Sequence, residues 1–171
     1  MGQNPANQPR PALPDINGHV LRTLFDPAVR SDLTARVETL RPDSVRRWGR
    51  MSPHQAICHL SDGFRMVLGQ KTAAPAKRPL SPALRWVALS LPFRWPRGVA
   101  TMPEVEQGSG GTPPVDFDGD RDELLVLMNR FCARSGAATW PDHPMLGPMS
   151  ERDWGRWAYR HLDHHLRQFG A

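Results

Sequence analysis

The 171-residue chain predicts an all-α fold, with four principal helices around one core and a long irregular connection between the second and the third. Three observations predict it. Apolar residues recur at three- and four-residue intervals in four segments, the spacing that gathers side chains onto one helical face. Each of those segments opens on a helix-start signal. The 18 prolines and 14 glycines crowd into the N-terminus and the middle of the chain, which leaves the remainder open to helix. A chain of this length suits one domain that buries a core without covalent staples. Residues 1–20 are expected to form a flexible arm and residues 21–171 the helical domain.

The first helix begins at Asp26 and Pro27, an N-cap and a first-turn proline, and carries Val29, Leu33, Val37 and Leu40 on one side. Pro42 ends it, because a proline ring clashes with the preceding helical turn. Ser52 and Pro53 start the second helix in the same way, to about Gly69. Its face is Ala56, Ile57, Leu60, Phe64 and Val67, and Met66 widens it to include His59 while His54 falls outside. Residues 70–118 are read as irregular apart from a short helix near Pro82–Leu91. So long a connection within a compact domain is usually functional or disordered. Asp118 or Asp120 is expected to cap the third helix, in which Leu124, Leu127, Met128 and Phe131 repeat, and Gly136 closes it. Ser150 with Asp153 reads as a capping box for the fourth helix, which runs to Phe169. No internal repeat and no glycine-rich phosphate loop accompanies these segments.

Net charge is +5, carried almost wholly by arginine, since Lys71 and Lys77 are the only lysines. The arginines are spread along the chain, with Arg46, Arg47 and Arg50 the one cluster, and no nucleic-acid motif goes with them. A basic soluble surface is therefore expected rather than nucleic-acid binding, with anionic small molecules the next reading. Cys58 and Cys132 are too few and too far apart for a disulfide framework or a cysteine-based zinc site. Nothing demands an oxidising compartment, and the cytoplasm is the default. Residues 1–14 lack the apolar segment of a secretory signal. The most apolar run, Leu84 to Phe93, is broken by Arg85 and too short to span a bilayer.

The chemistry concentrates in HLDHHLRQFG at the C-terminus. At about 100° per residue, His161 and His165 fall on one face with Trp154, Trp157, Ala158 and Leu162. Two buried imidazoles without partners cost on the order of 1–3 kcal/mol each, and a cation bound between them removes that cost. His59 on the second helix is the remaining histidine on a core-facing side, which gives a three-histidine set that leaves room for water or substrate. His164, at the edge of the face, is read as a solvated or capping residue. His143 in DHPMLGPMS is read as a turn histidine bonded to backbone. Gln168 is a candidate for orienting a ligand or binding substrate, with a buried helix-end amide as the equal alternative. Asp62 is either an acceptor behind an imidazole or an exposed helix carboxylate. Glu104 is a candidate general acid or base if the connection folds over the site. Cys58 lies about 100° around the helix from His59, so their adjacency does not make a nucleophile pair.

The segments MSPHQAICHL, LPFRWPRGVATMPE, GGTPPVDFDGDRDELL and HPMLGPMSERDWGRWAYRHLDHHLRQFG resemble the DinB/YfiT-like superfamily. More narrowly they resemble its branch catalogued as domain of unknown function fifteen-sixty-nine, over about residues 28–170. The resemblance implies a four-helix bundle in an up-down-down-up arrangement, with a metal ion held by His59, His161 and His165. It implies zinc or nickel, a small-molecule substrate, and a homodimer as a frequent assembly. Relatives in the wider superfamily include thiol-dependent transferases and isomerases that use a low-molecular-weight thiol, and others named as metal-dependent hydrolases. The expectation is an enzyme that activates water or a small thiol at that ion. The contrasting reading is a non-catalytic metal-binding or stress-response module. The long proline-rich connection departs from the compact bundles of those relatives, so only the metal triad transfers.

Overall fold

The computed structural model describes residues 21–91 and 93–171, and the expected N-terminal arm over residues 1–20 lies outside them. Regular structure among the described residues is helical: α1 (Pro27–Thr39), α2 (Pro53–Val67), α3 (Pro82–Ser90), α4 (Phe117–Cys132) and α5 (Glu151–Gln168), with a 3-10 turn at Pro103–Val105. No strand occurs among them beyond an isolated bridge between His143 and Gly147.

The caps explain where the helices start. Asp26 accepts from the N–H groups of Ala28 and Val29 ahead of α1. Complete capping boxes, Ser52 with Gln55 and Ser150 with Asp153, open α2 and α5. Each satisfies two donors that a helix end otherwise leaves bare. At α4 the cap is Asp116, whose side chain accepts from the Gly119 N–H, rather than Asp118 or Asp120. Asp116 keeps the extended backbone (φ −133°, ψ 122°) that a cap residue needs. The two later aspartates sit in the first turn, where negative charge favours the helix dipole.

The four longer helices close a circuit: α2 packs on α4 and α5, and α1 packs on α4 and α5. Leu33 and Val37 from α1, Leu60 and Phe64 from α2, Leu127 and Phe131 from α4, and Trp154 and Leu162 from α5 meet in one core. Burying side chains of this size contributes about 1.5–3 kcal/mol each relative to exposure. α3 leans on α5, tied there by Arg156, which donates to the Ser90 hydroxyl at 3.0 Å. No helix among the described residues is long and apolar enough to cross a membrane.

The long connection is pinned to the body rather than left loose. Asp62 of α2 is fully buried and accepts from Lys71 Nζ at 2.8 Å, the Thr112 N–H at 2.7 Å and the Thr112 hydroxyl at 2.6 Å. Arg65 adds a contact at 3.3 Å. Burial alone would raise the Asp62 carboxyl, but Lys71 and Thr112 hold it below the usual carboxylate range. Neither reading of Asp62 as an exposed carboxylate or as an imidazole acceptor matches this placement.

Candidate metal centre

One turn of α5 separates His161 from His165, and α2 crosses in front of them with His59. The ring centroids are 5.0 Å apart for His59 and His161, 5.0 Å for His59 and His165, and 5.1 Å for His161 and His165. One ligating nitrogen from each lies within 4.8 Å of the others. The crossing is close because residue 63 is glycine. A Cβ there would stand 3.1 Å from Trp157 Cη2 and 3.3 Å from His161 Cε1.

The hydrogen bonds fix which nitrogens hold lone pairs. His59 Nδ1 lies 3.0 Å from the Val105 carbonyl oxygen, which can only accept, so Nδ1 carries the hydrogen and Nε2 is bare. Gln168 Nε2 donates to the Trp48 carbonyl at 2.9 Å, which turns Oε1 toward His165 Nδ1 at 3.0 Å. His165 therefore also donates from Nδ1 and presents a bare Nε2. Gly49 makes room for this relay: it sits at φ +77°, and a Cβ would fall 2.6 Å from Gln168 Nε2. His161 Nε2 is 3.1 Å from His59 Nε2. With His59 Nε2 bare, that contact is a hydrogen bond donated by His161.

Burial depresses all three imidazoles. Desolvation lowers His59, pushes His165 down to about 3 and holds His161 well below the ordinary histidine range, with the neighbouring histidine rings adding to the last two. The cluster is neutral at pH 7, the state a metal ligand requires. Three buried neutral nitrogens without a carboxylate suit a borderline divalent ion such as zinc or nickel better than magnesium or calcium. His59 and His165 are buried and His161 is nearly so, its ring packed between Trp157 and the backbone at Gly63.

Gln168 acts on His165 as just described, and is itself buried. Glu104 does not reach the triad: its carboxylate accepts from the Ala74 N–H at 3.0 Å. It lines an open depression of about 340 Å³ with Ala74, Met102 and Met145, in which none of the three histidines takes part. His143 is buried and accepts from the Met145 and Leu146 N–H groups at 3.1 and 3.2 Å, as its turn position suggests. His164 is half-buried rather than solvated, with its ring 4.5 Å from that of Trp48 and 6.3 Å from that of Trp95. Desolvation brings it to about 4.

A second group of donors, His54, Cys58 and Asp120, joins α2 to α4. Asp120 Oδ2 accepts from His54 Nε2 at 2.7 Å, the Val115 N–H at 3.0 Å and the Cys58 thiol at 3.6 Å. Burial, then the Asp120 charge, pushes the Cys58 thiol up to about 12. It stays protonated and serves as a donor within this link. The sequence offered no sign of Val105 or Trp48, because both act through backbone oxygens. Gly63 carried a signal, since a glycine inside a helical pattern usually has a packing reason.

The model of the family described as "Protein of unknown function (DUF1569)" matches residues 28–171. No curated protein and no solved structure matches the chain.

Proposed function

The chain belongs to the DUF1569 family, and we propose that it is a metal-dependent enzyme on a DinB/YfiT-like four-helix bundle. In this reading His59, His161 and His165 hold a divalent ion, zinc or nickel, at which water or a small thiol is activated. The observation that carries the reading is the pair of outer hydrogen bonds, His59 to Val105 and His165 to Gln168, which leave Nε2 of each ring bare in a cluster whose ligating nitrogens lie within 4.8 Å of one another. Oxygen acceptors behind ligating imidazoles raise ligand basicity and fix ring orientation. A bound divalent ion would supply Lewis acidity, bringing a water or thiol into its ionised form near neutral pH.

The chain's own residues do the rest. His59 and His165 are held rigidly by α2, α5 and the two relays, while His161, which has no such relay, changes tautomer to contribute its lone pair. Gln168 is a positioning residue, coupling His165 to the loop that carries Trp48. Both cysteines are free and buried, so the fold draws on no disulfide, in keeping with a cytoplasmic protein.

The test uses protein purified without an affinity tag, with metal content measured alongside circular dichroism. His161→Ala and His165→Ala should lose stoichiometric metal while remaining folded, and His164→Ala should keep it. Full occupancy in His161→Ala would overturn the ligand set. In cobalt-loaded protein, a visible spectrum that shifts on adding a small thiol or raising pH supports an open coordination position. An invariant spectrum supports a non-catalytic metal-binding module instead.

A further inference from the structure

We infer that the outward side of α3, with the basic chain that flanks it, is a docking surface for a lipid bilayer carrying anionic headgroups. The inference stands apart from the metal reading. At about 100° per residue, Arg85, Ala88 and Leu89 fall on one side of α3, and Ala83, Leu84, Trp86 and Val87 on the other. The first set faces the body: Arg85 donates to the Leu146 carbonyl at 3.1 Å, the Ala88 carbonyl accepts from Trp95 Nε1 at 2.8 Å, and Leu89 is buried. The second set is exposed throughout, Leu84 by 55% and Trp86 by 52%. Phe93, three residues past the helix, is 66% exposed. Of the eight large hydrophobic side chains exposed among the described residues, five lie between Leu84 and Val99. Exposed apolar surface thus gathers in one stretch, the pattern of an interaction site, rather than being scattered singly.

This face is not a product of looseness. The Leu80 N–H donates to the Met145 carbonyl at 2.9 Å ahead of α3. At its far end Arg156 donates to the Ser90 hydroxyl, and Arg160 to the carbonyls of Leu91 and Phe93. The helix is therefore fixed to the body at both ends with its apolar side turned away.

Charge names the occupant. Residues 63–103 hold seven lysines and arginines and no aspartate or glutamate, while the rest of the chain holds 15 and 17. The positive excess of the molecule lies wholly in the stretch that carries α3. Lys77 and Arg78 shortly before the helix and Arg94 shortly after it are exposed, and none is ion-paired among the described residues. A nucleic acid needs cations on the contacting face itself, and the outward side of α3 has none. A second copy docked on the same face would set these cations against their equivalents, and like charges repel. An anionic bilayer takes both features, since apolar and aromatic side chains enter the headgroup boundary while flanking cations meet the lipid phosphates. Nine residues at about 1.5 Å each make α3 about 13 Å long, a length that lies in the interface and does not span.

The experiment sediments the full chain with vesicles of phosphatidylcholine, with and without phosphatidylserine, and follows oligomeric state by light scattering and fold by circular dichroism. The phosphatidylserine vesicles should bind the protein, those of phosphatidylcholine alone at least about tenfold more weakly, and high salt should narrow the difference. Leu84→Ser with Trp86→Ser should weaken binding at least about tenfold. Neutralising Lys77, Arg78 and Arg94 to glutamine should cost about fivefold for each cation, or about 100-fold together. Because these three side chains are exposed, that variant tests the surface even where the apolar pair alters the fold. Equal binding to both vesicles, or binding untouched by either variant, overturns the proposal. So does protein that ignores vesicles, whether it is monomeric or forms a dimer that Leu84→Ser with Trp86→Ser abolishes, the latter outcome giving the face to a second copy.

Discussion

Replacing Gly63 by alanine separates the stability of the fold from the precision of the triad. A Cβ at position 63 would lie 3.1 Å from Trp157 Cη2, 3.3 Å from His161 Cε1 and 3.4 Å from His161 Nδ1. Those contacts are tight by a few tenths of an ångström, so the neighbours must give way. Two effects on stability oppose one another. Alanine is favoured over glycine inside a helix by about 1 kcal/mol, while crowding a packed site costs about 1–3 kcal/mol. The contacts here are at the mild end, so Gly63→Ala should change unfolding free energy by no more than about 1 kcal/mol. Metal binding is less forgiving, because ligand distances tolerate only about 0.2 Å. Displacing His161 by a few tenths of an ångström should weaken zinc about 10–100-fold, as lost support for a ligand does elsewhere. Urea unfolding of the metal-free protein gives the first quantity and competition with a chelator the second. Unchanged zinc affinity would refute the reasoning, as would a loss of several kcal/mol with affinity intact.

The acid limb of folding stability should include a contribution from His143, whose burial lowers it from 6.5 to about 4, beside those of the likewise lowered His59, His161, His164 and His165. Between those values the unfolded chain binds the proton first, so this contribution is complete above about pH 6.5 and falls by roughly 3 kcal/mol by pH 4. His143→Asn, which keeps an acceptor for the two backbone N–H groups, should flatten the acid limb of urea-derived stability by about that amount; a slope identical to wild type would contradict it. Asp62→Asn removes the charge opposite Lys71 and turns a donor toward Arg65, and should destabilise by about 3 kcal/mol. Because the Asp62 carboxyl is held low, its contribution is present above the usual carboxylate range and lost as pH falls through its folded value. A change under about 0.5 kcal/mol in urea unfolding would show that Lys71 and Arg65 swing into solvent at no cost.

What the sequence made legible is what is local. Asp26–Pro27, Ser52–Pro53 and Ser150 with Asp153 each lie within one turn of the helix they start, and each cap forms where that pattern places it. The start of α4 was ambiguous because Asp116, Asp118 and Asp120 follow in alternation, and only the extended backbone at Asp116 decides among them. The convergence of His59 with His161 and His165 was readable from helix faces, because each face is a property of one helix and the core brings the faces together. The partners that orient those rings were not readable. His59 takes its acceptor 46 residues away and Gln168 its own 120 residues away, both backbone oxygens in loops that carry no periodic pattern. Asp62 was misjudged for the same reason, since Lys71 and Thr112 stand 9 and 50 residues away. The long-range partners come from two loops: Val105 and Thr112 lie on the connection between α2 and α4, and Trp48 on the loop between α1 and α2. The helices fix which nitrogens meet, and these two loops fix which tautomer His59 and His165 hold. In related chains with the same three histidines, differences in these two loops should therefore alter the chemistry of the site more than equal differences on the outer faces of the helices.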